Sequence, residues 1–232
     1  MIRIRRSAER GHANHGWLDT YHTFSFADYC DPQNMGFRDL RVINEDLIEA
    51  AKGFGTHGHR DMEIITYVID GAISHRDSMG NGETVRPHEV QRMTAGTGVM
   101  YSEFSSPTDR THMLQIWILP EKQDLTPSYE QKEFLPEDKR GKLKLVASRG
   151  GDDNSVHINQ DVKLFASILN SGESVSYDIP DGRHAWLQLI SGETELNGER
   201  LSQGDGAAIS SEALLEIKAT ADNTEFLLFD LN

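Results

Sequence analysis

A single cysteine, Cys30, in 232 residues rules out a disulfide within the chain. With no apolar leader at the start, a reducing cytosol is the expected compartment. No stretch approaches the roughly 18 apolar residues of a membrane span. Positive charge is scarce: 23 Lys and Arg stand against 37 Asp and Glu, a formal net charge of −14. That balance repels phosphate backbones and anionic lipid, so neither nucleic acid nor a membrane is an expected partner. The one basic cluster, Arg3, Arg5, Arg6 and Arg10, alternates with Ile2 and Ile4 and reads as a solvated strand face. Helical periodicity is nearly absent, and neither a P-loop nor a dinucleotide fingerprint occurs; the glycines at 96 and 98 lack the lysine and following helix that phosphate binding uses. At this length the chain needs neither disulfide nor metal merely to hold a core together, so any metal serves chemistry.

Strand signals are abundant. Glu63 to Ile69 is rich in β-branched residues and ends at Asp70-Gly71, Met113 to Leu119 ends at Pro120, and Ala185 to Ile190 ends at Ser191-Gly192. Asn197-Gly198 lies between short alternating runs, a strong hairpin signal. Short strands with turn residues about every ten positions point to β-sandwiches or barrels. A faint repeat suggests two lobes: VIDG ending at Gly71 is echoed by LISG ending at Gly192, and Pro87 to Met93 by Gln203 to Ile209. The charged stretch from Glu121 to Arg140, with Pro127 and Pro136, reads as the connection. The expected division is 1–125, a connection at 126–140, and 141–232.

The residues with the clearest chemistry are Thr56-His57-Gly58-His59 and Gly96 to Glu103. Side chains two apart on a strand share a face, so His57 and His59 can offer two imidazoles to one ion, and Tyr101 and Glu103 share a face likewise. Two such strands facing each other inside a barrel gather all four around one point. A strand running unbroken from His57 also turns Glu63 to that side, where it is expected either to orient a histidine or to be an ordinary cross-strand glutamate. His12, His15 and His22 lie in an aromatic-rich opening and read as packing; His75, His112 and His157 have no partners at ligand spacing. Cys30 reads as a buried or half-buried thiol.

RGHANHGWLDTYHTFSF (Arg10 to Phe26), GFGTHGHRDMEIITYV (Gly53 to Val68), HRDSMGNGETVRP (His75 to Pro87) and QRMTAGTGVMYSEF (Gln91 to Phe104) resemble the pirin family of the cupin superfamily. The likeness extends over essentially the whole chain. It implies an all-β bicupin: two face-to-face antiparallel β-barrels with few short helices, a metal site in the N-terminal barrel and none in the C-terminal one. It also implies one divalent transition metal per chain, usually iron, with nickel, copper, cobalt, manganese and zinc as alternatives. The family's ligand positions fall on His57, His59, Tyr101 and Glu103. Position 101 departs from the family, which carries histidine there; Gly58 replaces a proline, and His88 stands where the turn usually has glycine.

Three arrangements of Tyr101 remain open: a phenolate ligand favouring ferric iron, a non-ligand beside an occupied site, or a non-ligand over a site that no longer holds metal. Bacterial relatives in the family are associated with quercetin 2,3-dioxygenase activity. The resemblance therefore implies a metal-dependent dioxygenase opening flavonols with loss of carbon monoxide, with Glu103 accepting the 3-hydroxyl proton; because two lobes can bury their faces against each other, a monomer is expected. The competing reading is a metal-dependent regulatory module that binds a protein partner without turnover, by analogy with animal relatives; a sugar isomerase lacks any phosphate-binding feature to support it.

Overall fold

The computed structural model describes residues 1–232. It is almost entirely β, as the strand signals require. The strands are β1 (Ile2–Arg5), β2 (Gly11–Asn14), β3 (Leu18–His22), β4 (Leu40–Ile48), β5 (Gly53–His59), β6 (Glu63–Asp70), β7 (Ile73–Asp77), β8 (Gly82–Val85), β9 (Glu89–Thr94), β10 (Val99–Ser105), β11 (Thr111–Ile118) and β12 (Ser128–Glu133). After α1 (Pro136–Lys139) follow β13 (Lys144–Ser148), β14 (Val156–His157), β15 (Val162–Leu169), β16 (Ser174–Asp178), β17 (His184–Ser191), β18 (Glu193–Leu196), β19 (Glu199–Ser202), β20 (Gly206–Ile209), β21 (Leu214–Ala219) and β22 (Thr224–Leu231). No helix is long and apolar enough to cross a membrane.

The chain divides into two compact units. One comprises Gly11–Phe134 with Val156–Gln160; the other comprises Met1–Arg10, Leu135–Ser155 and Asp161–Asn232. Three segments thus depart from the division that the sequence suggests, one of them 156–160, which belongs with the first unit. β12, inside the expected connection, pairs along its length with β9 as an edge strand of the first unit. β1 pairs with β20 of the second unit, Ile2 opposite Ile209. This also alters the reading of the basic cluster: Arg5 and Arg10 are buried, and Arg6 donates to the buried Asp205 carboxylate at 2.8 Å.

In the first unit a seven-stranded sheet ordered β12-β9-β6-β11-β4-β3-β2 and a four-stranded sheet ordered β5-β10-β7-β8 enclose one interior. Leu18, Ile48, Val68 and Met113 from the larger sheet meet Ile73 and Val85 from the smaller. The second unit repeats the plan. Leu187, Leu189, Phe226 and Leu228 of its larger sheet pack on Leu196, Leu201, Leu215 and Ile217 of its smaller one. Asn197 and Gly198 take φ 48° and 86° between β18 and β19, the left-handed pair of a tight hairpin.

The echoed glycines occupy equivalent turns. Gly71 after β6 and Gly192 after β17 both have φ 77°, a region that side-chain-bearing residues reach only with strain. A Cβ on Gly71 would also collide with the Arg110 carbonyl oxygen. Gly71→Ala is expected to destabilise the first unit by about 2 kcal/mol or more, read as an earlier unfolding transition in urea.

Candidate metal centre

β5 and β10 are hydrogen-bonded neighbours in the smaller sheet, not facing strands. His57 lies opposite Tyr101 and His59 opposite Val99. The register then slips: Glu103 pairs with Phe54, so β5 carries an extra residue between the two pairings. Such a bulge re-aims the side chains beside it. Here His57 Nδ1 donates to the Gly55 carbonyl at 2.7 Å, which fixes the tautomer and leaves Nε2 as the lone-pair nitrogen. Close approach of the strands requires Gly53, because a Cβ there would meet the Glu103 carbonyl oxygen.

The His57 and His59 ring centroids are 4.9 Å apart, a spacing at which two imidazole nitrogens can share one ion. The Tyr101 ring lies 4.6 Å from His57 and 5.0 Å from His59. His59 Nε2 is buried without a hydrogen-bond partner, and the Tyr101 hydroxyl is buried beside the Glu103 carboxylate without a well-formed hydrogen bond to it. Buried polar atoms are rarely left so, and their convergence with the free face of His57 fits a cation. Burial, followed by the neighbouring His57, lowers the His59 pKa to about 4, keeping its imidazole neutral and able to bind metal. No three His, Cys, Asp or Glu side chains are gathered closely enough to hold an ion by themselves. Glu103, 1% exposed, is turned to Gln115, whose Nε2 donates to it at 3.0 Å. Burial first, and then the nearby Asp46 carboxylate, raise the Glu103 pKa to about 7. Burial and the Glu103 charge push the Tyr101 phenol well above its ordinary range.

Glu63 does not orient a histidine. β5 ends at His59, the chain turns through Asp61 at φ 47°, and Glu63 opens a strand of the other sheet. Its carboxylate accepts from Thr94 Oγ1 at 3.2 Å and from the Asn159 backbone N–H at 3.1 Å, anchoring the 156–160 segment. Cys30 is exposed rather than buried, in the loop between β3 and β4.

Two residues near the centre have a part there that the sequence did not show, Asp46 unread and His75 set aside for want of partners. His75, on β7 opposite Glu103, is buried beside Tyr101 with centroids 5.1 Å apart, and its Nε2 reaches Asp77 at 3.3 Å. Asp46 is buried on β4, where Thr20 Oγ1 donates to its Oδ1 at 2.5 Å; burial raises its pKa to about 6. His88 adopts φ 74°, the conformation that favours glycine at that turn.

A cavity of about 470 Å³ ends on the histidine pair. Its walls include His57, His59, Trp17, Phe26, Phe54 and Trp117, with Thr20, His22, Asn44, Asp46 and Gln115 on a polar side. Trp17 packs edge-on against Phe54 and Phe26 against Trp117, both at 5.3 Å, while Trp117 also stands edge-on to His59 at 4.9 Å. The aromatic opening read as packing is therefore cavity wall as well. The volume falls within the roughly 300–1,000 Å³ of small-molecule sites.

Known proteins share both the fold and the sequence. Residues 2–118 match the family described as Pirin, and residues 145–231 match the quercetinase C-terminal cupin domain. The quercetin 2,3-dioxygenase of Escherichia coli strain K12 is 50% identical over all of this chain and 99% of its own. A pirin-like protein of Caulobacter vibrioides is 42% identical over 99% of each chain. The crystal structure of the E. coli bacterial pirin YhhW in complex with nickel(II) superposes with a TM-score of 0.95 at 49% identity, covering 100% of this chain and 99% of that one. With one family match spanning half the chain and relatives aligned end to end, the chain belongs to the pirin family.

Proposed function

We propose that this protein is a metal-dependent dioxygenase of flavonols such as quercetin. The observation that carries the reading is the aromatic cavity that closes on the His57 and His59 pair. Support comes from the relatives, among them the E. coli quercetin 2,3-dioxygenase and the nickel(II) complex of YhhW.

A single divalent ion would be held by His57 and His59, iron being the proposed metal and nickel the alternative. When bound, the ion supplies Lewis acidity and a partner for dioxygen. The protein's own residues do the rest. Trp17, Phe26, Phe54 and Trp117 present apolar faces and edges that hold a planar ligand and exclude water. His57 is held in one tautomer by the Gly55 carbonyl. Glu103 is the proposed acceptor of the 3-hydroxyl proton; burial makes its carboxyl hold a proton more readily than an exposed glutamate does. Gln115 orients that carboxylate, and Trp117 Nε1 donates to Gln115 Oε1 at 3.2 Å, locking the amide in place.

The test is oxygen uptake with quercetin by protein reconstituted anaerobically with iron(II) or with nickel(II). Oxygen consumption in step with loss of quercetin absorbance, abolished in His57→Ala, is the expected result. No uptake with either metal would overturn the reading.

A further inference from the structure

The polar side of the cavity is built by register rather than by any local motif. Thr20 and His22 on β3 lie opposite Asp46 and Asn44 on β4. Thr20 Oγ1 donates to Asp46 Oδ1 at 2.5 Å, and His22 Nδ1 donates to Asn44 Oδ1 at 2.8 Å. Each pairing uses one side-chain oxygen of the β4 residue and leaves the other polar atom over. Both residues line the cavity at 3% exposure, so Asp46 Oδ2 and Asn44 Nδ2, which these two pairings leave over, are available to a ligand there. Positions two apart on a strand share a face, so an acceptor and a donor stand side by side, about 6.6 Å apart at their Cα atoms. Gln115, the neighbouring polar residue, is already used by Glu103 and Trp117.

Buried polar atoms of this kind discriminate strongly, because a ligand that leaves them unpaired incurs their desolvation. A phenolic hydroxyl both donates and accepts, so it satisfies a carboxylate oxygen, an amide N–H, or both. We propose that Asp46 and Asn44 form the specificity element of the cavity, reading ring hydroxyls of a polyhydroxylated flavonol other than the 3-hydroxyl. This rests on the flavonol reading above and narrows it: the substrate class is hydroxyl-decorated, and a bare flavonol skeleton is a poor ligand.

The experiment compares quercetin with 3-hydroxyflavone, which keeps the 3-hydroxyl and carbonyl and lacks every other hydroxyl. Dissociation constants are measured anaerobically on the metal-loaded protein from quenching of tryptophan emission, since Trp17 and Trp117 line the cavity. Oxygen uptake is recorded separately with each compound. The native protein is expected to bind quercetin about tenfold or more tighter than 3-hydroxyflavone. In Asp46→Asn, which keeps the side chain's shape and removes a buried carboxylate, the ratio is expected to fall to about threefold or less, through loss of quercetin affinity alone. Asn44→Ala is the second variant and is expected to lower the ratio with Asp46 intact. Equal affinities in the native protein, a ratio unchanged in both variants, or an equal loss on both compounds would overturn the inference. Selective binding without oxygen uptake would leave it standing and remove the dioxygenase reading. Uptake with equal affinities would remove the inference alone.

Discussion

In His59→Ala, metal content falls to less than about a tenth of an ion per chain under conditions that load the native protein to near one. Partners that merely support a metal ligand already contribute about 10–100-fold in affinity, and His59 is proposed as a ligand itself, so a loss of at least about 100-fold is expected. The measurement is mass-spectrometric metal analysis after anaerobic reconstitution with iron(II), followed by gel filtration. The choice of residue follows from geometry: His59 Nε2 is buried with no partner, and its imidazole is held neutral by burial. Alanine removes ring contacts with His57, Tyr101 and Trp117 but no hydrogen bond of His59 Nε2. The fold is therefore expected to survive, and unchanged far-UV circular dichroism separates loss of the centre from loss of structure. Retention of a full equivalent of metal by the folded variant would place the ion elsewhere.

Tyr101→His is expected to act in the opposite direction, raising affinity for a divalent ion by roughly 10–100-fold. A phenol must ionise to become a strong ligand, and the surroundings of Tyr101 resist that: it is buried, with the Glu103 carboxylate close by. Imidazole binds in its neutral form and needs no such step. Tyr101→Phe, which keeps the ring packed against His57, His59 and His75, isolates the hydroxyl. Competition with a chromophoric chelator measures all three proteins. Equal affinity in the native protein and Tyr101→Phe, with a gain in Tyr101→His, identifies the tyrosine as a neighbour of the centre. A tenfold or greater fall in Tyr101→Phe, with a tyrosinate charge-transfer band on the ferric protein, identifies it as a ligand.

The placing of the four candidate positions as pairs on two strands was legible because period-two alternation and glycine spacing act within a few residues. His57 and His59, and Tyr101 and Glu103, are pairs on single strands. What could not be read is whatever depends on register between distant strands. Asp46 reaches the cavity because β4 pairs with β3 and β11, and His75 meets Tyr101 because β7 pairs with β10. Nothing near either residue in sequence announces this. Glu63 was misplaced for a related reason: an extended run of suitable residues conceals the turn at Asp61 that carries the chain from one sheet to the other. β12 was hidden by its composition, since an edge strand can be charged and flanked by proline and still satisfy its neighbour's backbone.

The pairing of β1 with β20 has a consequence in time. β1 is made long before its partner, which follows more than 200 residues later, with Ile2 opposite Ile209. At about 5–20 residues per second, synthesis separates the two by roughly 10–40 s. During that interval Ile2 and Ile4, which pack on the second unit's core, have no native place to go. The first unit holds Gly11–Phe134 and the short 156–160 segment, so it can complete itself well before the second. The second unit therefore waits on β20 to take up β1, and a chain truncated at residue 160 would hold all of the first unit's residues with β1 unpaired.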